Sequence, residues 1–149
     1  MAVQREVPYG RARFQVDLGN GDPANGSFGF FHVIPPKGVI QVSSYQSGSD
    51  RGHVPHEVPG APHMERVLLR RGVTGALDLY RWWKQVLDGE GNVARTVRLH
   101  LLDEDDQTVL TWTLARAWPA IYGVEQLVAG SSEPAVEFVE LAYDRFEIE

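Results

Sequence analysis

Apolar and polar residues alternate over short segments through most of the chain, and this pattern limits the fold more than any other feature. In RARFQVDL (residues 11–18), Phe14, Val16 and Leu18 share one face while polar residues occupy the other, as in a half-buried strand. The chain's 15 glycines and 9 prolines keep such segments short in its first half. The pattern predicts a mainly β, antiparallel fold.

Further strand candidates follow along the chain. FGFFHVI and GVIQVSSY flank the loop PPKG, MERVLLRR comes later, and RTVRLHLL and TVLTWTLAR flank the polar turn DEDDQ, which predicts a β-hairpin. Pro119 in AWPAIYGVE indicates a sheet edge or a bulge. In AVEFVELAYDRFEIE the alternation shifts between Phe138 and Val139, which predicts a bulge or bend there. We expect roughly seven or eight strands.

One stretch has a helical period instead. In GALDLYRWWKQVLDG the apolar residues fall at i, i+3, i+4, i+7 and i+8, which predicts a helix over about residues 76–88. Thr74 is the expected N-cap, and Gly89 is the expected glycine after the last turn. We expect the apolar stripe of this helix to belong to the core, and its members are Leu79, Trp82, Trp83, Val86 and Leu87.

Length and composition exclude several classes of protein. A chain of 149 residues is expected to form one domain, residues 1–149, whose core needs no cross-links. The absence of cysteine excludes disulfides, thiolate zinc sites and cysteine nucleophiles. A formal charge of −6, with lysine only at Lys37 and Lys84, argues against nucleic-acid binding. We expect no signal peptide and no membrane helix, and therefore a soluble protein made inside the cell.

The stretch SYQSGSDRGHVPHEVPGAPH (residues 44–63) holds three of the five histidines and three prolines. Metal-binding helices place histidines at i and i+4, whereas His53 and His56 are three residues apart and the prolines exclude a helix. Three imidazoles in a loop could still surround zinc, but the sequence offers no clear additional ligands for such a site. Histidines in a solvated loop are the favoured interpretation.

Motifs for catalysis are missing from the chain. It contains neither a G-x-S-x-G nucleophile turn nor a G-x-x-x-x-G-K-[ST] phosphate loop. The acidic run DEDD (residues 103–106) lacks the loop length and distal glutamate of a calcium-binding EF-hand, so we expect a solvated hairpin tip. The sequence therefore predicts neither an enzyme nor a bound cofactor or metal.

Several segments, taken in order, resemble the tail tube proteins of contractile phages and of phage-tail-like injection systems. They are FQVDLG, YQSGSD, VPG, VLLRRGVTGALDLYRWWKQVLDG, VRLHLLDEDDQTVLTWTLARAWPAIY and VEFVELAYDRFE. The resemblance extends from about Tyr45 to the C-terminus and depends on the order and spacing of these segments. Before Tyr45 the segment GDPANGSFGFFHVIPPKG replaces the family's usual short strand, so the resemblance leaves the structure of residues 18–45 open.

The resemblance implies a small antiparallel β-barrel or sandwich with one flanking helix, six copies of which form a ring. Rings would stack into a hollow tube that a contracting sheath drives through a target envelope. The implied partners are further copies of the chain, the sheath protein, baseplate or spike and terminator proteins, and an effector or DNA in the lumen. No direct membrane anchor is implied, and assembly would take place in the cytoplasm of the producing bacterium.

The same resemblance implies where contacts between copies lie. Residues 44–63 are expected to form a long assembly loop, and its interface candidates are Tyr45, Ser49, Asp50, Arg51, His53, His56 and Glu57. Acidic residues of the last strand are candidates for the lumen wall, where negative charge repels a polyanion. These are Glu137, Glu140 and Asp144, for which a solvated outer surface is an equal alternative.

Other functions remain open at this point. A tube initiator near the baseplate would share the fold, although initiators usually carry extra segments. A monomeric β-barrel that binds a small ligand in its mouth predicts a stable monomer with a filled pocket. A metal-dependent enzyme would need zinc bound by the histidine stretch. The sequence does not distinguish a phage from a domesticated injection system.

Overall fold

The computed structural model describes residues 1–19, 29–48, 52 and 54–149. Within these residues the chain forms nine strands and one helix. In order they are β1 (Phe14–Asp17), β2 (Phe30–Ile34), β3 (Lys37–Tyr45), β4 (His56–Glu65), β5 (Val67–Gly72), α1 (Asp78–Leu87), β6 (Arg95–Leu102), β7 (Thr108–Val124), β8 (Val136–Ala142) and β9 (Arg145–Ile148). The prediction of a mainly β chain with one helix is confirmed.

Seven strands form one antiparallel sheet around the long strand β7. The strand order is β1-β6-β7-β8-β5-β2, with β9 also paired to β7. The first part of β7 pairs with β6 and β9, and its second part pairs with β8. Between these parts Arg116 has a φ of 52°, and the register with β8 shifts between Pro119 and Ile121. Such irregularities let one strand pass from one layer of a sandwich to the other.

The core lies between the two halves of this sheet. One half contributes Val16, Leu99 and Leu114, and the other contributes Leu69 and Val139, all in a single buried cluster. Leu79 and Trp82 of α1 belong to the same cluster, and the helix packs against β7. In β5 and β6 buried residues alternate with less buried ones, so the alternation in the sequence accounts for this arrangement.

Strand β8 corrects the expected bulge between Phe138 and Val139. The register with β5 is continuous from Val136 to Leu141, so the strand is regular. The apparent shift arose because Glu137, although charged, lies on the buried face together with Val139 and Leu141. The predicted irregularity near Pro119 is confirmed in β7.

Helix α1 is shorter than predicted. Its N-cap is Leu77, which makes no side-chain capping bond, and not Thr74. At the other end, Gly89 has a φ of 72°, and the backbone N–H groups of Gly89 and Glu90 donate to Val86 and Gln85, a glycine-terminated Schellman arrangement as predicted. Among the described residues, no helix is long and apolar enough to cross a membrane.

The apolar stripe of α1 is only partly core. Leu79 and Trp82 are buried, and the indole Nε1 of Trp82 donates to the carbonyl of Val93 at 2.7 Å. Trp83 and Val86 are half-buried, whereas Leu87 is 65% exposed. The expectation that the whole stripe is core is therefore wrong at Leu87, which is the last residue of the helix.

Candidate assembly surface

Strands β3 and β4 form a separate two-stranded hairpin outside the main sheet. They pair from Lys37 opposite Glu65 to Tyr45 opposite His56, with a register shift between Ile40 and Val42. Within the described residues these strands pair with each other alone, so their outer edges keep backbone donors and acceptors available for another chain.

The base of the hairpin is fixed to the sheet. The Tyr143 hydroxyl donates to the carbonyl of Glu65 at 2.7 Å, and burial raises the pKa of Tyr143 above its ordinary value. A Cβ added at Gly38 would lie 3.4 Å from the Phe146 ring, so the strand crosses this ring closely. The hairpin therefore projects from a rigid base.

Large apolar side chains on the hairpin are exposed. Val42 is 65% exposed, and Ile40, Val54, Val58 and Tyr45 are also exposed. The ring of Tyr45 lies 5.5 Å from that of His56 across the two strands, which joins them close to the tip. An exposed group of apolar residues on a projecting element is typical of a protein contact surface.

The structure corrects the expected long loop over residues 44–63. Residues 56–63 lie in strand β4, and the connection between the strands is correspondingly shorter. Of the interface candidates, Tyr45, His56 and Glu57 lie on the paired strands, with Glu57 opposite Ser44. Ser49, Asp50, Arg51 and His53 lie outside the described residues. Tyr45, His56 and Glu57 thus lie on one hairpin, and their role in contacts between copies stays a prediction.

The histidine stretch does not gather ligands in the part of the chain that the structure describes. His56 and His63 lie seven residues apart on β4, and His63 pairs with Val39. No group of three histidine, cysteine, aspartate or glutamate side chains suited to a metal occurs among the described residues. His53 lies outside them.

The candidate lumen residues occupy three different environments. Glu137 is 3% exposed, so its assignment to a lumen wall is wrong in this chain. Glu140 is half-buried on the outward face of β8, where its neighbours across the sheet are Leu68 and Ile121. Asp144 is exposed and lies 3.3 Å from Arg116. Glu140 and Asp144 remain candidates.

Glu137 belongs to a buried ionic cluster that joins the sheet to the helix. Arg71 Nε donates to Glu137 at 2.6 Å, the Tyr122 hydroxyl donates to the other carboxylate oxygen at 2.8 Å, and Arg71 also pairs with Asp78 of α1. Burial and the bond to Glu137 raise the pKa of Tyr122 to about 12. Burial alone would raise the pKa of Asp78, but Arg71 outweighs it and holds that pKa below its ordinary value.

The acidic turn between β6 and β7 contacts an N-terminal arm, which we define as residues 1–12. Arg5 donates two bonds of 2.9 Å to Glu104, and the Val3 N–H donates to the Val109 carbonyl at 2.9 Å. Just after the arm, Arg13 lies 2.5 Å from Asp106. The tip is exposed, as predicted, and it also makes surface ion pairs that the sequence did not predict. Sequence spacing offers no signal for contacts that join residues about a hundred positions apart.

An apolar groove lies beside this arm, between the two terminal strands of the sheet. Its volume is about 560 Å³. Phe14 of β1, Val33 of β2 and Trp112 of β7 contribute apolar walls, and arm residues Tyr9 and Arg11 form another wall. Since β1 and β2 end the strand order, the groove marks the side on which the described sheet is not closed.

Comparison with known proteins agrees with this architecture. The sequence profile of the family described as T4-like virus tail tube protein gp19 matches residues 10–147. The chain belongs to this tail tube family. Tail tube proteins are structural proteins, and the predicted resemblance is confirmed. No curated protein sequence matches the chain.

Three solved structures show how widely the tail tube fold is shared. A chain in the 6-fold symmetrised baseplate of the anti-feeding prophage has a TM-score of 0.84 at 26% identity, covering 97% of both chains. A chain in the sheath–tube complex of an extracellular contractile injection system (PVC) has a TM-score of 0.78 at 22% identity, covering 97% of this chain and 93% of that one. A chain in the PVC sheath/tube terminator has a TM-score of 0.81 at 21% identity, covering 97% and 98%.

Proposed function

We propose that this tail tube chain is a structural subunit of the inner tube of a contractile phage tail or phage-tail-like injection system. Six copies form a ring, and rings stack head to tail into a hollow conduit, since a head-to-tail contact that does not close builds a filament. Apart from family membership, the observation that carries the proposal is the projecting β3–β4 hairpin. Its exposed apolar residues lie on a base fixed by Tyr143 and Phe146.

The proposed partners follow from this role. The sheath surrounds the tube, and baseplate and terminator proteins bind its ends; the similar chains come from a baseplate, a sheath–tube complex and a terminator assembly. An effector or DNA occupies the lumen, with Glu140 and Asp144 as candidates for its wall. The proposed function is structural and not catalytic.

The test compares two substitutions at equally exposed residues. Val42 on the hairpin and Leu87 on the helix are each 65% exposed, so a glutamate at either position leaves the core intact. Negative-stain microscopy and light scattering across concentration should show rings or tubes for the wild type and for Leu87→Glu. Val42→Glu should remain monomeric, and its melting temperature should equal that of the wild type at a concentration where light scattering shows no assembly of either.

The possible outcomes separate the fold from the role. A wild-type chain that remains a monomer at high concentration would refute the tube subunit. If Val42→Glu assembles at the same concentration as the wild type, the tube proposal stands, but the hairpin is not part of the interface between copies.

A terminal position in the same machine is the second candidate. The observation that favours it is that the baseplate and terminator chains match this fold as well as the sheath–tube chain does. Seeded growth distinguishes the two positions. A tube subunit lengthens preformed tubes of its own chain, whereas a terminal protein binds one end and stops further addition.

A further inference from the structure

The N-terminal arm is held to the body by few contacts. Its hydrogen bonds to the body, among the described residues, are the two from Arg5 to Glu104 and the backbone bond from Val3 to Val109, and Tyr9 and Arg11 also line the apolar groove. The apolar side chains Met1, Val3 and Val7 are all exposed, so the arm gains little from apolar burial on its own body. Exposed ion pairs hold a segment weakly.

The arm is nevertheless organised by contacts within itself. The Arg5 guanidinium lies 3.8 Å from the centre of the Tyr9 ring, and its Nε donates to the Val7 carbonyl at 2.7 Å. The Tyr9 hydroxyl donates to the Val3 carbonyl at 2.9 Å. These contacts move with the arm, so it can leave one body and bind an equivalent one without losing its internal structure.

The charges of the arm and the turn allow the arm to bind the acidic turn of any copy. The arm carries Arg5 and Arg11 against Glu6, while the turn consists of four consecutive acidic residues, 103–106. Each bond that the arm makes to its own body can form in the same way to the body of a second copy. Exchange of identical elements between copies therefore has a small free-energy cost.

We infer that the N-terminal arm is exchanged between neighbouring copies, so that the arm of one copy binds the acidic β6–β7 turn of the next. The inference rests on the proposed self-assembly and adds a second contact to it. Arg13 stays on its own body, because its carbonyl accepts a bond from the Leu102 N–H at 3.0 Å. The hinge therefore lies between the arm and Arg13, beside the apolar groove, and the incoming arm supplies the Tyr9 wall of that groove.

Cysteine cross-linking tests the exchange, and the chain's lack of cysteine leaves no background. Val7→Cys on the arm and Asp105→Cys on the turn both replace exposed residues outside the ion pairs. The chain with both substitutions is assembled, treated with a short bis-maleimide and run on a denaturing gel. Exchange predicts a ladder of covalent multimers, and a mixture of the two single variants should give heterodimers. Val7→Cys paired with the exposed Val128→Cys controls for random collision.

The outcomes test the arm exchange and the tube proposal separately. Internally linked monomers within intact rings would overturn the exchange and leave the tube proposal standing. Covalent multimers in a sample without rings or tubes would retain the exchange and refute the tube. Internally linked monomers without any assembly would overturn both.

Discussion

The buried cluster of Arg71, Glu137 and Tyr122 allows a quantitative prediction. Replacing Arg71 with methionine leaves Glu137, which is 3% exposed, with the Tyr122 hydroxyl as its remaining bonding partner in this cluster. Removing one partner of a buried ion pair typically costs about 3–5 kcal/mol, because the other charge stays buried without compensation. Asp78 contributes less to this cost, since its side chain is 40% exposed and can be hydrated. We expect Arg71→Met to lower the free energy of unfolding by about 3–5 kcal/mol.

A double variant separates the charge from the packing. Arg71→Met combined with Glu137→Met removes both charges and fills the site with apolar side chains of similar length. Replacing a whole buried pair in this way is often neutral or stabilising. The double variant should therefore be more stable than Arg71→Met alone, by about 3–5 kcal/mol.

Urea unfolding followed by tryptophan fluorescence measures both values. The samples must be dilute enough for light scattering to show monomers, because assembly adds a concentration-dependent contribution to stability. The loss of free energy of unfolding in the double variant is compared with the sum of the losses in Arg71→Met and Glu137→Met. If the two are equal, the charges are not coupled and the reasoning is refuted.

Three further predictions concern other parts of the fold. Asp78→Asn should lower the free energy of unfolding by about 1 kcal/mol at neutral pH, after allowing for solvent screening. The pKa of Asp78 in the folded chain lies below its ordinary value of 3.8. Urea unfolding should therefore show the difference between variant and wild type disappearing as the pH falls through and below 3.8. Gly19→Ala should lower the free energy of unfolding by at least about 2 kcal/mol more than Gly75→Ala in the same assay, since both glycines have positive φ but only at Gly19 would a Cβ clash with a carbonyl oxygen, that of Thr96. Equal losses would contradict this. Hydrogen bonding from Arg5 lowers the pKa of Glu104 to about 2 from its ordinary 4.5, so amide exchange at Val3 should be faster in Glu104→Gln than in the wild type above pH 4.5 and similar in both near pH 2.

Local patterns predicted the elements that local contacts determine. The β6–β7 hairpin was recognisable because two alternating segments flank a polar turn, and helix α1 was recognisable from its period. The role of Glu137 was not, because Arg71 lies 66 residues away and Tyr122 lies 15 residues away. From the sequence alone, a charged residue on a strand is predicted to face solvent unless its distant partner is known.

Strand β4 shows a different limit of sequence reasoning. The prolines of residues 44–63 excluded a helix, and the family resemblance implied a long loop there. In the structure Pro59 and Pro62 lie in a strand whose described pairing is with β3 alone, a position that tolerates a missing N–H. Both prolines therefore fit a strand that has one edge free among the described residues.

The packing of the sheet favours the tube over a monomeric ligand-binding barrel. Leu69, Leu114 and Val139 are fully buried where the two halves of the sheet face each other, and Trp82 closes on the same cluster. A small barrel whose interior is filled by its own side chains holds no ligand there. The exposed apolar residues lie instead on outer elements, including the hairpin and the N-terminal arm. A chain with a filled interior and apolar projections is suited to binding other chains, and copies of itself are the partners that its family membership supports.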